Sequence, residues 1–297
     1  MTQKRAVFDF EVDFANGGGL QGQDFRLDIE GDDVDDATLA RFIVADLRLL
    51  MVGAVRIVNR RIIDEPHKRR PAVTGAGTGE LIDLSHPISD GMVTYPGLPA
   101  PTIGSHLTRE ASRERYSVGT EFFIGTISMV ANTGTYLDAP FHRYPDGADL
   151  AGLPAASCAG LEGVVIRHSE GRAIDADALA DVETWGRAVL FHTGWDRNFG
   201  TPAYGVDAPF LTDAAARRLV DGGAALVGID SVNVDDITAG DRPAHSRLLA
   251  AGTPILEHLT GLEQLPDRGF ELTALAPRIV GLGTFPVRAV ARITGGG

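Results

Sequence analysis

Four short apolar runs, VVIRH, AVLFHT, AALVGID and PVRAVARI, set the fold class of this chain more firmly than any other feature. All four read as strands. Thr212 followed by DAAARRLVDGG reads as a capped helix ending at Gly222. Strands and short helices thus mix from Glu80 onward, which predicts an α/β or α+β body with mostly short connections. The first 75 residues have a pattern of their own. Phe8, Phe10, Val12 and Phe14 alternate with acids, and Phe25, Leu27 and Ile29 repeat the alternation of half-buried strands. The run ATLARFIVADLRLLM then places Leu39, Phe42, Ile43, Leu47 and Leu50 at helical spacing. Asp35 and Asp36 before it suit the helix N-terminus. Val55, Ile57 and the residues up to Ile63 read as a further strand. Residues 64–79, rich in proline, glycine and basic side chains, read as a linker. The expected division is 1–75 as a strand-strand-helix-strand extension and 80–297 as the main domain.

Charge and cysteine content narrow the function classes. The 27 basic and 40 acidic residues give a net charge of −13, which repels phosphate backbones and anionic membrane surfaces. Nucleic acid and membrane are therefore not expected partners. Cys158 is the sole cysteine, so an internal disulfide framework and a cysteine-based zinc cluster are excluded. A single thiol suits a reducing cytoplasm. No apolar run reaches the roughly 18 residues that span a bilayer. Metal or acid/base chemistry must come from the eight histidines and the carboxylates.

Several motifs weigh little. Gly17 to Gly22 fits G-x-G-x-x-G, but a strand follows where a phosphate-binding helix is needed, so a hairpin turn is the better reading. Ser85 and His86 are neighbours on an extended segment and point to opposite faces. Cys158 lies among small residues with no histidine near it. His67 and His106 read as solvated, and His168 and His258 as surface positions at element ends. His192 ends an apolar strand before Gly194, where α/β folds present polar groups to a cleft.

The dense stretch is Asn132-Thr133-Gly134-Thr135-Tyr136-Leu137-Asp138-Ala139-Pro140-Phe141-His142. If 136–138 is extended, Tyr136 and Asp138 share a face. Gly134 permits a turn, and Pro140 stiffens the approach to His142. A phenol, a carboxylate and an imidazole close together are the ingredients of general acid/base chemistry. A turn whose polar groups satisfy one another is the competing reading.

This stretch resembles the signature His-x-Gly-Thr-His-x-Asp-x-Pro-x-His of the cyclase family that includes bacterial kynurenine formamidase. Other blocks are similar in the right order. They are Leu81 to Pro87 with Tyr95-Pro96-Gly97, VLFHTGWD at 189–196, Gly228-Ile229-Asp230 with Asn233 and Asp235, His245 with Glu257, and Pro286-Val287-Arg288-Ala289. The resemblance covers roughly residues 80–293. It implies a sheet or barrel-like core flanked by helices, a small-molecule substrate and a homodimer or homotetramer. It also implies that Asp138, His245 and Glu257 stand at metal-ligand positions and His142 at the acid/base position.

Two ligand positions depart from the signature, because Asn132 and Tyr136 stand where it has histidines. Losing two imidazoles removes the ligands best suited to zinc and speaks against a two-zinc site. Asp138, His245 and Glu257 could still hold one divalent ion, Mn²⁺, Mg²⁺ or Zn²⁺. Without a metal, Tyr136 would fill the ion's space, and with Asn132 it would polarise a substrate carbonyl. The expected function is acid/base cyclisation, dehydration or elimination on a small carbonyl compound through His142, Tyr136, Asn132 and Asp138. Metal-dependent hydrolysis of an amide, lactone or ester is the alternative, and a non-catalytic binding protein a further one. Tyr95, Phe122, Phe123, Phe141, His192 and Trp195 are candidate substrate-pocket residues.

Overall fold

The computed structural model describes residues 3–29, 33–47, 49, 52–65, 79–95 and 97–295. Most of the 64–79 linker, with His67, lies outside the described residues, as do Leu50 and Pro96. The chain divides into two compact units, Met1–Gly75 and Ala76–Gly297.

In the first unit, strands Gln3–Phe14, Gly19–Asp28 and Val52–Glu65 form an antiparallel sheet with Gln3–Phe14 in the middle. The helix Asp36–Asp46 buries Leu39 and Ile43 against Ala6, Phe8, Phe10 and Val12. Phe42, at helical spacing from them in sequence, faces outward and is exposed. Gly17 and Gly18, both at positive φ, form the turn between the first two strands, and no helix follows them.

The second unit is built on a nine-stranded mixed sheet. Its order is Thr284–Pro286, Tyr136–Asp138, Ile255–Glu257, Leu226–Ile229, Ala188–His192, Leu161–Arg167, Phe270–Thr273, Val290–Ile293 and Leu81–Asp83. The four strands from Ile255–Glu257 to Leu161–Arg167 are parallel, and the pairings outside them are antiparallel. The central strands are apolar on both faces because both are covered. Val189, Phe191, Val227 and Ile229 pack under helices Asp213–Asp221 and Pro243–Ala250, while Leu190, Leu226 and Leu256 fill the opposite face. Thr212 caps the first of these helices by accepting the Ala215 N–H.

The run PVRAVARI does not form one strand. Pro286 ends the strand at one edge, and Val290 opens the strand next to the other edge. Residues 287–289 reach roughly 10 Å at most, whereas seven strand spacings in a flat sheet are about 34 Å. The sheet must therefore curl until its edges meet, and hydrogen bonds close the seam. Val287 N–H donates to the Thr135 carbonyl at 3.0 Å, Leu84 N–H to Ala289 at 2.9 Å, and Thr260 N–H to Leu84 at 3.1 Å. The result is a curled half-barrel with helices on its outer face, the mixed α/β class that the strand pattern implied.

Candidate active site

Cross-strand register assembles the centre. Tyr136 lies opposite Glu257 on one side and Pro286 on the other, and Asp138 lies opposite Thr284. Side chains directly across a strand pair share a face, and Tyr136 and Asp138, two residues apart, share it too. Glu257 also ends a parallel strand, the end where open α/β sheets place their sites. All of Tyr136, Asp138 and Glu257 are buried, Asp138 at 0% and Glu257 at 1% exposure.

His245 is brought to this group by the helix Pro243–Ala250. Asp235 holds that helix by its N-terminus, accepting the Ala244 N–H at 2.7 Å and the His245 N–H at 3.0 Å. The same carboxylate meets His245 Nδ1 at 2.7 Å, which leaves Nε2 to face the centre. Nε2 stands 3.7 Å from Asp138 Oδ2 and 3.6 Å from Glu257 Oε1, too far for hydrogen bonds. Asp138 Oδ2 is buried with no hydrogen-bond partner. Asp138, His142 and His245 each bring a ligand atom within 4.8 Å of one another. Glu257 is more committed: Oε1 accepts the Val234 N–H at 2.8 Å and Oε2 the Tyr136 O–H at 2.6 Å.

Electrostatics point the same way. Burial works to depress the His245 imidazole, but the charges of Glu257, Asp138 and Asp235 outweigh it and lift it to about 10. Burial raises the Glu257 carboxyl to about 7. Three buried carboxylates around one imidazole thus call for positive charge at this point. A proton on His245 supplies one unit and a divalent cation two. Together with the orphaned Asp138 Oδ2, the donor set of carboxylate and imidazole fits a divalent cation.

His142 sits at the open edge of the centre, partly exposed. Its Nδ1 is 2.7 Å from Thr284 Oγ1, and Thr284 also hydrogen-bonds Asp138 Oδ1. A carboxylate only accepts, so the Thr284 proton goes to Asp138, and His142 Nδ1 must donate to Thr284. The lone pair of His142 is thereby placed on Nε2.

Tyr136 differs from its expected role. Its proton is directed to Glu257 and is not available to a substrate carbonyl; the Asn132 side chain bonds to the same phenol. Burial raises the Tyr136 phenol well above its usual range. His258, expected at the surface, is wholly buried beside Tyr136, because it directly follows the buried strand Ile255–Glu257. His168 is half-buried. Thr284, Asp235 and Tyr204 have structural partners at the centre that residue spacing did not reveal.

The candidate pocket residues separate. Tyr95 and Trp195 pack on a small cluster with Tyr204, Ala208 and Val232, and Tyr95 senses the charge of Glu257. Phe141 lies in the short turn Pro140–His142. Phe122 and Phe123 are about half exposed, on or beside the hairpin of Thr102–Leu107 and Ile124–Ser128. There they meet Tyr116 and Arg109, and no described contact brings them to the centre. His192 Nδ1 pairs with Arg167 at 3.0 Å, in a groove shared with Arg197 and Glu263. Cys158 is buried, which pushes its thiol up to about 11 and makes it unreactive. Among the described residues no helix is long and apolar enough to cross a membrane.

Comparison with known proteins adds four findings. The family model described as "Putative cyclase" matches residues 82–236. A kynurenine formamidase of Geobacillus thermodenitrificans (strain NG80-2) is 32% identical over 216 residues, covering 72% of this chain and 98% of that protein. A solved structure described as a potential metal-dependent hydrolase with cyclase activity is 25% identical with a TM-score of 0.60, over 73% of this chain and 99% of that one. Isatin hydrolase A from Labrenzia aggregata, 24% identical with a TM-score of 0.63 over 73% of this chain and 94% of that one, shares the fold.

Proposed function

This chain belongs to the cyclase family, and from that premise we propose that it is a metal-dependent hydrolase acting on the C–N bond of a small carboxamide. The observation that carries the reading is the convergence of Asp138 Oδ2, buried and unpartnered, with His245 Nε2 at 3.7 Å. The relative named for formamide hydrolysis supports hydrolysis over the cyclisation, dehydration or elimination expected from the residues alone. It also weighs against a non-catalytic role.

Asp138 and His245 would hold one divalent cation, with Glu257 Oε1 facing it. Such an ion, when bound, polarises a carbonyl and lowers the pKa of water toward 7. His142 Nε2, free to accept, takes a proton from the attacking water and returns it to the leaving nitrogen. Atoms balance: one water and one amide give an amine and a carboxylic acid. Thr284 and Asp138 hold the His142 ring in the tautomer this transfer needs. Asp235 does the same for His245, keeping Nε2 on the centre.

The test is formate release from the formyl amide of kynurenine by protein stripped with a chelator, before and after Mn²⁺ or Zn²⁺ is restored. Activity should vanish on stripping and return with the cation. His142→Ala should lower kcat by about 100-fold or more. Full activity in the stripped protein would overturn the metal reading, and an unchanged rate in His142→Ala the role of that residue.

A further inference from the structure

Beside the centre runs a buried chain of ring side chains that the hydrolysis above does not use. Tyr204 Oη meets His258 Nδ1 at 2.8 Å, His258 Nε2 meets Tyr136 Oη at 3.3 Å, and Tyr136 Oη meets Glu257 Oε2 at 2.6 Å. With Glu257 ionised, the form that a cation would face, counting protons fixes the direction of every link. An ionised Glu257 has none to give, so Tyr136 donates to it. That commits the single Tyr136 proton, and His258 Nε2–H is therefore the donor to Tyr136. A neutral imidazole has one N–H, which leaves Nδ1 to accept the Tyr204 O–H.

The backbone holds this ring deliberately in place. His258 has φ +58, a left-handed conformation uncommon outside glycine that histidine, asparagine and aspartate adopt more readily than other side chains. Its carbonyl accepts the Thr135 hydroxyl at 2.5 Å and its N–H donates to Ser231 at 3.3 Å. Thr135 adjoins Tyr136, so the peptide of His258 and the ring of Tyr136 are tied to the same strand end. Phe199 stands edge-on to the His258 ring and stacks on His86, which keeps the far side apolar. Both ring nitrogens of the buried His258 meet phenol oxygens rather than carboxylates, the surroundings of a neutral imidazole.

We propose that Tyr204 and His258 are positioning residues for the cation site: through Tyr136 they pin Glu257 Oε2 and so turn Oε1 toward His245 Nε2. Glu257 lies within a fully buried strand, but its carboxylate can rotate unless both oxygens are held. Val234 N–H holds Oε1 at 2.8 Å, and Oε2 is held by this chain at 2.6 Å, with a longer contact from Asn233 Nδ2 at 3.5 Å. The proposal rests on the cation-site reading above, and the experiment separates the two.

Full-length, chelator-stripped protein is titrated with Mn²⁺ by calorimetry, as wild type, Tyr204→Phe and His258→Asn. Tyr204→Phe deletes one hydroxyl, and asparagine tolerates the left-handed backbone. Wild type should bind one equivalent, and both variants should bind about tenfold more weakly, the usual cost of losing an outer partner of a ligand. In ¹⁵N spectra of histidine-labelled wild type at pH 7, the signal absent from His258→Asn should show a protonated Nε2 and a bare Nδ1. That pattern should shift in Tyr204→Phe. A proton found on Nδ1 in wild type, or Mn²⁺ affinity in folded Tyr204→Phe within twofold of wild type, would overturn the positioning role. Absence of Mn²⁺ binding in wild type would instead overturn the cation site itself. Tyr204→Phe, which removes a single hydroxyl, keeps the Mn²⁺ arm decisive should His258→Asn fail to fold.

Discussion

Asp138 and Asp230 are both wholly buried aspartates at strand ends of the same sheet, yet their surroundings differ completely. Asp230 accepts the Thr193 N–H at 2.9 Å, the Thr193 hydroxyl at 2.5 Å and the Gly194 N–H at 2.7 Å. Burial pushes its carboxyl up, and these donors oppose the shift. It is a structural group that ties two loops together. Asp138 receives one hydroxyl, from Thr284, and its other oxygen has no partner. Buried polar atoms are nearly always bonded; of the few unpartnered ones among the described residues, Asp138 Oδ2 is the carboxylate oxygen, and with His245 Nε2 beside it at 3.7 Å it marks where a cation belongs. Burial alone would not separate the two residues; the count of donors does.

Four substitutions or additions press on that contrast. The largest effect is expected for Asp138→Asn, which should lower hydrolysis by more than about 100-fold. Its stability should change by less than about 1 kcal/mol, since Asp235 and Glu257 still face His245 and the repulsion among three buried carboxylates is relieved. Rate assays and urea unfolding read the two arms. Next comes cation binding, where Mn²⁺ at about 100 times its Kd should stabilise wild type by about 2.7 kcal/mol. Calorimetry should then show Tm raised by roughly 5–10 °C. Asp230→Asn should retain that shift and Asp138→Asn lose it. Asp230→Asn itself should destabilise the fold by about 2 kcal/mol in urea, because an amide nitrogen would face N–H donors. An Asp230→Asn protein as stable as wild type would collapse the distinction. The smallest effect is Thr284→Val, expected to cost about tenfold in kcat by freeing the His142 ring. No loss there would remove Thr284 from the proton path.

Much of this was legible in sequence, and the reasons are local. The strand at 136–138 and its shared face follow from period-two geometry, and the helix after Thr212 from its cap. The signature singles out Asp138 and His142, and the later blocks of the resemblance His245 and Glu257; Asp138, His142 and His245 bring ligand atoms within 4.8 Å of one another, and Glu257 Oε1 lies 3.6 Å from His245 Nε2. What sequence hid depends on pairing between distant segments. Thr284 matters because register sets it opposite Asp138, 146 residues away. His258 looked like a surface residue because nothing near it in sequence shows that its strand ends inside a curled sheet. Phe122 and Phe123 failed as pocket walls for the opposite reason: an apolar stretch was read as interior, and its hairpin leaves it half exposed.

The short crossing at 287–289, which forces the two edges of the sheet together, also sets a timetable. Thr284–Pro286 is synthesised long after Tyr136–Asp138, with 146 residues between the paired Asp138 and Thr284, and contacts of such long sequence separation form slowly. A nascent chain can make its central parallel strands while residues 284–293 are still in the ribosome. Until residue 284 emerges, Asp138 lacks its hydroxyl partner and the seam beside Tyr136 stays open. The centre is thus completed only after residue 284 has emerged, so that a chain cut before it would carry the signature residues without ever assembling them.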